Sequence, residues 1–234
     1  MISGLQKMTL LDFPGKVACT VFLGGCNFRC PFCHNRDLLP TETEQLMELS
    51  DFFAFLDSRK GLLDAVCVSG GEPTLHKDLE RLLRGIKDRG FAVKLDTNGN
   101  RPAVLKHLVE EGLVDYVAMD VKNSPARYGE TVGISNFSTD AVAESLQFLF
   151  TDAVAYELRT TVVAELHDEQ SIREMGEWLA TLAAPKQAVA LYLQCFTDRD
   201  SVLCRGLSAP AKESLVQYAK ILEPFVGHIS LRGV

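Results

Sequence analysis

Strand-like and helix-like segments alternate along this chain, and this alternation constrains its fold more than any other feature. Short apolar runs rich in β-branched residues are each followed by a stretch with apolar residues at helical spacing. Such strands are typical of a parallel sheet covered by helices. The predicted strands are 17–23, 64–69, 91–95, 114–121, 156–163 and 189–193, with a short last strand at 228–231. The predicted helices are 46–56, 79–86, 103–111, 139–150, 171–182 and 210–222, the first preceded by a capping box at 41–44.

The number of units sets the expected architecture. Six strand–helix units are two fewer than a closed (β/α)8 barrel needs. We therefore predict an α/β fold, an incomplete (β/α)6 TIM-like barrel of parallel strands that is open on one side. A doubly wound open sheet is the main alternative. The polar motifs favour the barrel, because they lie in or just past the C-terminal ends of the predicted strands, where barrels place their active sites.

Three cysteines, Cys26, Cys30 and Cys33, form a C-x3-C-x2-C array directly after the first predicted strand. Thiolates at this spacing can hold one metal centre, and a four-iron cluster held by three cysteines leaves one iron open for chemistry. Three alternatives are a structural zinc site that includes His34, an electron-carrying cluster with a further ligand, and buried structural cysteines. The zinc site is weaker than the open cluster as an interpretation, because His34 directly follows Cys33 and neighbouring residues seldom both reach one tetrahedral ion.

Composition excludes several other classes of protein. The net charge is −7 and the pI is near 5.3, so the surface has no general attraction for a phosphate backbone and nucleic acid is not expected as a partner. No run approaches the roughly 20 apolar residues of a membrane span, and the N-terminal segment has no secretory signal. The seven cysteines are an odd number, which argues against a disulfide framework. We therefore expect a cytoplasmic protein with reduced thiols and no membrane partner.

Two polar turns follow the second and third predicted strands. Gly70-Gly71-Glu72-Pro73 predicts a sharp turn, in which the glycines let a ligand approach the backbone and offer carbonyls to an ammonium group. Thr74 is available to cap the helix that follows, and a tight turn without a ligand is the plainer interpretation. Asp96-Thr97-Asn98-Gly99 has the composition of a turn, and after a parallel strand its side chains are expected to point into a cavity.

Charged residues interrupt two later apolar strands. Asp120 and Lys122 alternate at the end of the fourth predicted strand, where they could pair with each other, or Lys122 could pair with a ligand carboxylate. Arg159 lies in the middle of the fifth, where a charge is costly unless it is paired. Glu157 on the same face is one possible partner, and a ligand ribose or carboxylate is the other.

Together these motifs resemble those of the glycyl radical enzyme activating enzymes in the radical SAM (S-adenosylmethionine) superfamily, most closely the compact activating proteins of anaerobic ribonucleoside-triphosphate reductase. The resemblance runs from about residue 11 to residue 196. It implies a single radical SAM domain over 1–234, with a core at about 15–196 and a C-terminal extension at 197–234. The motifs that carry it are the cysteine array with Phe32 before its last cysteine, the GGEP turn, Leu11-Asp12-Phe13-Pro14-Gly15, Cys33-His34-Asn35, DTNG at 96–99, Met119-Asp120-Val121-Lys122 and Arg159-Thr160-Thr161.

The resemblance implies a role for each matching residue. Cys26, Cys30 and Cys33 are expected to ligate one [4Fe-4S] cluster, and the absence of cysteine from 35–63 argues against a second. Asp96, Thr97 and Asp120 are the expected ligands of a monovalent cation. The residues expected to contact S-adenosylmethionine are Phe32 and His34 at the adenosyl part, Gly70, Gly71 and Glu72 at the amino group, Asp96, Asp120 and Lys122 at the carboxylate side, and Asn98 and Arg159 at a ribose or carboxylate.

The implied reaction is a radical one. One electron passed from the reduced cluster into the sulfonium would break a carbon–sulfur bond and give methionine and a 5′-deoxyadenosyl radical. That radical would abstract a hydrogen from a glycine Cα of a partner glycyl radical enzyme, with anaerobic ribonucleotide reductase as the expected partner and a flavodoxin or ferredoxin as the expected electron donor. No general base is needed, so the protein's task is positioning and the exclusion of water and oxygen.

A radical SAM enzyme acting on a small molecule, as in a 7-carboxy-7-deazaguanine synthase-like reaction, is the second hypothesis. Such an enzyme would need further polar side chains inside the barrel, and the candidates are His167, Gln194 and Asp198. A non-enzymatic zinc or electron-carrying module does not explain the motifs on the second to fifth predicted strands.

Overall fold

The structure, a computed structural model, describes residues 2–40, 45–183 and 189–233. The capping box predicted at 41–44 lies outside the described residues. The strands are Ile2–Thr9 (β1), Ala18–Leu23 (β2), Ala65–Gly70 (β3), Ala92–Thr97 (β4), Tyr116–Asp120 (β5), Ala155–Val162 (β6), Ala190–Cys195 (β7) and His228–Arg232 (β8). The helices are Leu49–Asp57 (α1), Leu79–Lys87 (α2), Pro102–Glu110 (α3), Tyr128–Val132 (α4), Asp140–Leu149 (α5), Glu169–Leu182 (α6) and Lys212–Leu222 (α7), with short 3-10 helices at Arg36–Leu38 and Pro73–Leu75. Among these described helices, none is long and apolar enough to cross a bilayer.

The predicted α/β fold is confirmed. The eight strands form one mostly parallel sheet, and their order in the sheet follows the chain. β2, β3 and β4 are parallel neighbours, as are β6, β7 and β8, whereas β1 is antiparallel to β2. Because β1 and β8 are the two ends of this order, the sheet is not closed, as an incomplete barrel requires. β1 is not among the strands predicted from the sequence.

Contacts divide the chain into two compact units. The first comprises Met1–Asn27, Asp37–Ala118 and Ala153–Ala155, and the second comprises Phe28–Arg36, Met119–Asp152 and Tyr156–Val234. The single domain implied by the resemblance stays a prediction.

In the first unit, helices form where an apolar face can be buried. α2 is the clearest case, because its apolar residues recur at helical spacing while its other face carries charge, with Arg84 paired to Glu80 one turn earlier at 2.8 Å. Burying each large apolar side chain contributes about 2 kcal/mol. The α2 side chains that are at most 1% exposed are Leu79, Leu82, Leu83 and Ile86.

In the second unit, specific side chains fix the start of α6 and the segment that follows β5. α6 begins with a capping box, in which Asp168 accepts a hydrogen bond from the Ser171 backbone N–H at 2.8 Å and Ser171 Oγ accepts one from the Asp168 N–H at 3.1 Å. Tyr128 of α4 is fully buried and stacks on Phe137 at 5.4 Å. The Tyr128 hydroxyl accepts a hydrogen bond from the backbone N–H of Lys122 at 3.3 Å, which anchors the chain just after β5.

Candidate active site

The predicted site residues lie in both units, and each set is described within its own unit. The first unit contains Cys26, Gly70, Gly71, Glu72, Asp96, Thr97 and Asn98. The second unit contains Cys30, Phe32, Cys33, His34, Asp120, Lys122 and Arg159.

Gly70 and Gly71 form a turn that only glycine fits. Gly70 has a φ of 130°, which L side chains seldom adopt. A Cβ on Gly70 would overlap the backbone of Leu23, and a Cβ on Gly71 would overlap the carbonyl oxygen of Gly25. This close approach is used for bonding, because Gly71 N–H donates to Leu23 O and Glu72 N–H donates to Gly25 O, both at 2.8 Å. The turn after β3 is thereby fixed to the beginning of the cysteine loop.

The carboxylate of Glu72 joins the turns that follow β3 and β4. It is 1% exposed, and one oxygen accepts hydrogen bonds from Thr74 N–H at 3.1 Å and from the Thr97 hydroxyl at 2.8 Å. Its other oxygen accepts a bond from Asn98 N–H at 2.7 Å, and the Thr74 hydroxyl also donates to the first. Burial raises the pKa of Glu72, although these hydrogen bonds oppose the shift. We call Glu72 with Thr74, Thr97 and Asn98 the Glu72 network.

The same network corrects one expectation about the turn. The sequence offered Thr74 as the N-cap of the helix after the GGEP turn. In the structure the short helix Pro73–Leu75 is capped by Glu72, whose side chain accepts the Thr74 N–H. Thr74 lies inside this helix, so Glu72, the residue that precedes the helix, takes the capping position.

Asn98 links this network to the cysteine loop. Its side-chain amide donates to Asn27 Oδ1 at 2.8 Å, and its Oδ1 accepts a bond from Asn100 N–H at 3.0 Å. Next along the loop, Cys26 N–H donates to Leu39 O at 3.3 Å. Both ends of the Asn98 amide are therefore already used by the protein.

Asp96 is paired inside its own unit. One carboxylate oxygen forms an ion pair with Lys94 and the other accepts a hydrogen bond from the Ser69 hydroxyl at 3.0 Å. Lys94 and Asp96 lie two residues apart in β4 and so share a face of the sheet. The Lys94 side chain is 2% exposed and that of Asp96 16% exposed. Lys94 was not among the site residues predicted from the sequence, although its spacing of two residues from Asp96 was a local signal.

In the second unit, a C-terminal segment holds the other half of the cysteine loop. Cys33 N–H donates to Cys30 O at 3.0 Å and closes a turn. Cys33 O accepts a bond from Leu203 N–H at 3.1 Å, and Pro31 O accepts one from Cys204 N–H at 2.9 Å. Leu203 and Cys204, in the segment after β7, thus support the backbone of the cysteine loop at Pro31 and Cys33.

The two aromatic rings of the loop have separate neighbours. His34 stacks on Phe196, with ring centroids 5.5 Å apart, and its Nε2 lies 2.6 Å from the carbonyl oxygen of Thr197. Phe32 is 4% exposed, and the ammonium of Lys122 lies 5.8 Å from its ring centroid. Their predicted contact with an adenosyl group stays a prediction.

Asp120 lies between two cations. One of its oxygens is 2.8 Å from Lys122 Nζ, and the other is 3.1 Å from Arg159 Nε. Burial alone would raise the pKa of Asp120, but the charges of Lys122 and Arg159 outweigh burial and lower it to about 2. We call these three residues the Asp120 cluster. Glu157, which the sequence offered as a partner for Arg159, pairs with Arg232 at 2.8 Å.

The cysteines have the chemistry of an iron–sulfur site. All seven are described, and none is in a disulfide. Burial raises the pKa of Cys33 on balance, although a hydrogen bond with the Asn35 backbone and the charge of Lys122 oppose the shift. Lys122 also interacts electrostatically with Cys30. A nearby cation favours the thiolate, which is the ligand form for iron–sulfur clusters. The residues present therefore fit such a cluster.

The zinc alternative gains no support from the side-chain positions. Over residues 2–40, 45–183 and 189–233, no three His, Cys, Asp or Glu side chains converge on one ion. The cysteines of a four-iron cluster bind different irons, so this finding concerns sites for a single ion. His34, the proposed fourth zinc ligand, directs Nε2 at Thr197 O.

His167, a candidate for binding a small molecule, is a core histidine. It is 2% exposed. Its Nδ1 accepts a hydrogen bond from Val163 N–H at 3.1 Å, and its Nε2 lies 2.9 Å from Lys122 O. Burial lowers the pKa of His167, which is consistent with a neutral ring that bonds two backbone groups.

Comparison with known proteins places the chain in a family. A model of the radical SAM superfamily matches residues 20–150. The chain belongs to the radical SAM superfamily. A protein of Methanocaldococcus jannaschii named as a glycyl-radical enzyme activating enzyme is 31% identical, over 100% of this chain and 96% of the relative. The pyruvate formate-lyase 1-activating enzyme of Escherichia coli K12 is 27% identical, over 97% of this chain and 96% of that enzyme.

Solved structures show the same fold. A domain of pyruvate-formate lyase-activating enzyme from Bacteroides vulgatus superposes with a TM-score of 0.57 at 18% identity, over 72% of this chain and 99% of that domain. The predicted superfamily and its activating-enzyme group are thus confirmed, and the chain is a radical SAM enzyme. The roles of its site residues toward a cofactor stay predictions.

Proposed function

We propose that this radical SAM enzyme activates a glycyl radical enzyme by abstracting a hydrogen atom from a glycine Cα. The likeness of the whole chain to activating enzymes supports this reaction. When bound, a [4Fe-4S] cluster and S-adenosylmethionine supply the one-electron cleavage that yields a 5′-deoxyadenosyl radical. The chain itself binds, orients and shields the reacting groups.

The cysteine array is proposed to hold the cluster, and one observation carries the proposal. Cys30 and Cys33 lie in a tight, backbone-bonded turn within the electrostatic influence of Lys122. With Cys26, they supply three thiolates and leave one iron for the cofactor. The positive charge of Lys122 offsets part of the negative charge that thiolates bring.

The GGE turn is proposed to bind the amino group through its backbone. Both carboxylate oxygens of Glu72 already accept hydrogen bonds within the Glu72 network. The backbone carbonyls of Gly70 and Gly71 are therefore the groups that we assign to the cofactor ammonium, and Glu72 is assigned as the residue that positions them. Asn98 is assigned to hold the turn after β4 against the cysteine loop, and it is proposed to contact a ribose or carboxylate of the cofactor.

The remaining contacts are assigned to the second unit. Lys122, held by Asp120, is proposed to meet the cofactor carboxylate, and Arg159 is proposed to orient Asp120 and to contact a ribose or carboxylate. Phe32 and His34 are proposed to lie against the adenosyl group. The carboxylates of Asp96 and Asp120 already have cationic partners, so the proposed cofactor set contains no monovalent cation.

The partner, the electron donor and the compartment belong to the proposal as well. We assign anaerobic ribonucleotide reductase as the glycyl radical partner, a flavodoxin or ferredoxin as the electron donor, and the cytoplasm as the compartment, with no nucleic-acid or membrane partner. Small-molecule substrates are less well supported, because His167 bonds to backbone on both sides of its ring.

The proposal is tested by anaerobic reconstitution with iron and sulfide, reduction, and measurement of 5′-deoxyadenosine. We expect cofactor cleavage, and a glycine-centred EPR doublet only when a candidate partner such as anaerobic ribonucleotide reductase or pyruvate formate-lyase is added. Cys30→Ala should abolish cleavage, whereas Cys204→Ala, at an exposed cysteine outside the array, should retain it. Cleavage without a doublet on any candidate partner would argue for a small-molecule substrate, and cleavage that survives Cys30→Ala would contradict the cluster assignment.

A further inference from the structure

We infer that the ammonium of Lys94 compensates the charge of Asp96 and takes the place of the bound monovalent cation that the resemblance implies. The inference rests on the proposed function only in placing Asp96 beside the cofactor. The charge balance itself is a property of the first unit and is open to a test that needs no cofactor.

The Lys94 side chain is almost completely removed from water. It is 2% exposed, and its ammonium pairs with Asp96. The same ammonium lies 3.8 Å from the sulfur of Cys67, the residue opposite it in β3. A buried ammonium is costly unless a carboxylate compensates it. Separating the pair would leave each charge with an uncompensated desolvation cost, which favours the paired state.

The other expected cation ligands are engaged too. The second Asp96 oxygen accepts a bond from the Ser69 hydroxyl at 3.0 Å. The Thr97 hydroxyl donates to Glu72 at 2.8 Å and accepts a bond from Gly99 N–H at 3.1 Å. A monovalent cation at Asp96 would have to displace these hydrogen bonds. It would also have to share the carboxylate with the ammonium of Lys94, which is part of the protein and stays in place.

Asp120, the remaining expected ligand, is compensated within the second unit. It has Lys122 at 2.8 Å and Arg159 at 3.1 Å, one on each oxygen. Each of the two carboxylates predicted to bind a monovalent cation is therefore already paired with a cationic side chain of the protein. These residues do not fit a monovalent-cation site.

A positioning role for Lys94 predicts an effect that general structural damage does not. If the ammonium stands for a cation, its removal should create a site that small cations can fill. Potassium, sodium or ammonium ions would then stabilise a Lys94→Met variant more than choline, which is too large to enter. A side chain that merely filled space would leave a variant equally destabilised in every salt.

The experiment measures the Tm of the full-length chain, purified anaerobically and without S-adenosylmethionine, in choline, sodium, potassium or ammonium chloride at equal ionic strength. We expect the wild-type Tm to agree within about 1 °C across the salts. Lys94→Met should lower the Tm in choline chloride by roughly 5–10 °C, and one of the small cations should restore about a third of that loss. The double variant K94M/D96N should show no such restoration, because it lacks the carboxylate.

The matched control is Lys87→Met, which removes an ammonium from a more exposed pair with Asp115 and should show no dependence on the cation. A wild-type Tm raised by potassium or sodium over choline would overturn the inference, as would a K94M variant with no greater cation dependence than wild type. If K94M does not fold, the same comparison of Tm between salts is made with Lys94→Gln and with the wild type. Loss of cofactor cleavage in the wild type would contradict the proposed function and leave these Tm values unaffected.

Discussion

The Glu72 network and the Asp120 cluster hold their carboxylates by opposite means. Glu72 is 1% exposed and accepts hydrogen bonds from neutral donors, the backbone and hydroxyl groups of the two turns. The side chain of Asp120 is 28% exposed and is held by two cations. Burial consequently raises the pKa of Glu72, whereas the charges of Lys122 and Arg159 lower that of Asp120.

This difference matches two different tasks. Neutral donors spaced over two turns fix backbone geometry, which suits a residue that positions carbonyls for a ligand. Two cations on one carboxylate fix the positions of charges, which suits residues that meet an anionic group. The two carboxylates should therefore respond differently to substitution and to pH.

The largest effect is expected for Glu72→Ala. The change leaves the donors of Thr74, Thr97 and Asn98 buried without their acceptor, and we expect a loss of about 3–4 kcal/mol in the free energy of unfolding. Urea titration of the full-length chain measures it. Glu72→Gln keeps one oxygen with its donors and should lose about half as much. Glu130→Ala, at an exposed glutamate, is the matched control. An equal loss of unfolding free energy in the two alanine variants would show that the Glu72 network does not stabilise the fold more than an exposed glutamate does.

A smaller effect is expected for Asp120→Asn. The folded-state pKa of Asp120 is lowered from 3.8 to about 2, so its ionisation stabilises the fold above about pH 4, and this contribution is lost as pH falls toward 2. The shift corresponds to about 2 kcal/mol, which the variant should lack at pH 7. Its stability should then change less than that of wild type between pH 4 and pH 2.

Asp57→Asn serves as the control for this variant. It removes a carboxylate from an exposed pair with Lys60 and should behave like wild type. A stability profile of Asp120→Asn that stays parallel to wild type through the acid limb would contradict the role of the two cations.

Much of the fold was predictable because its signals are local. β2 to β7 are short apolar runs between turn residues, and helices such as α2 carry apolar side chains at regular spacing. β1 lacked such a signal, because in Ile2–Thr9 only the first and last residues are buried. It forms by pairing with β2, which is a tertiary contact that local periodicity does not report.

The site shows the same division. The cysteine array, the GGEP turn and Asp96 could be identified from motifs, because each needs particular residue types at a fixed spacing. The bonds of Glu72 to Thr97 and Asn98 could not be predicted, because these residues lie 25 and 26 positions after Glu72 in the chain. The segment around Leu203 and Cys204 was missed for the same reason, because only folding brings it to the cysteine loop. Lys94 was missed although it lies only two residues from Asp96 and so shares a face of β4 with it.

The central claim is that the radical formed by this enzyme takes its hydrogen from a glycine of a protein. The most direct test is to incubate the reduced, reconstituted enzyme and S-adenosylmethionine with a candidate glycyl radical enzyme labelled with α-deuterated glycine, and to analyse the 5′-deoxyadenosine by mass spectrometry. We expect one deuterium in the product and a glycine-centred EPR signal whose α-hydrogen splitting has collapsed. Unlabelled 5′-deoxyadenosine, formed at the same rate with or without the partner, would contradict the claim.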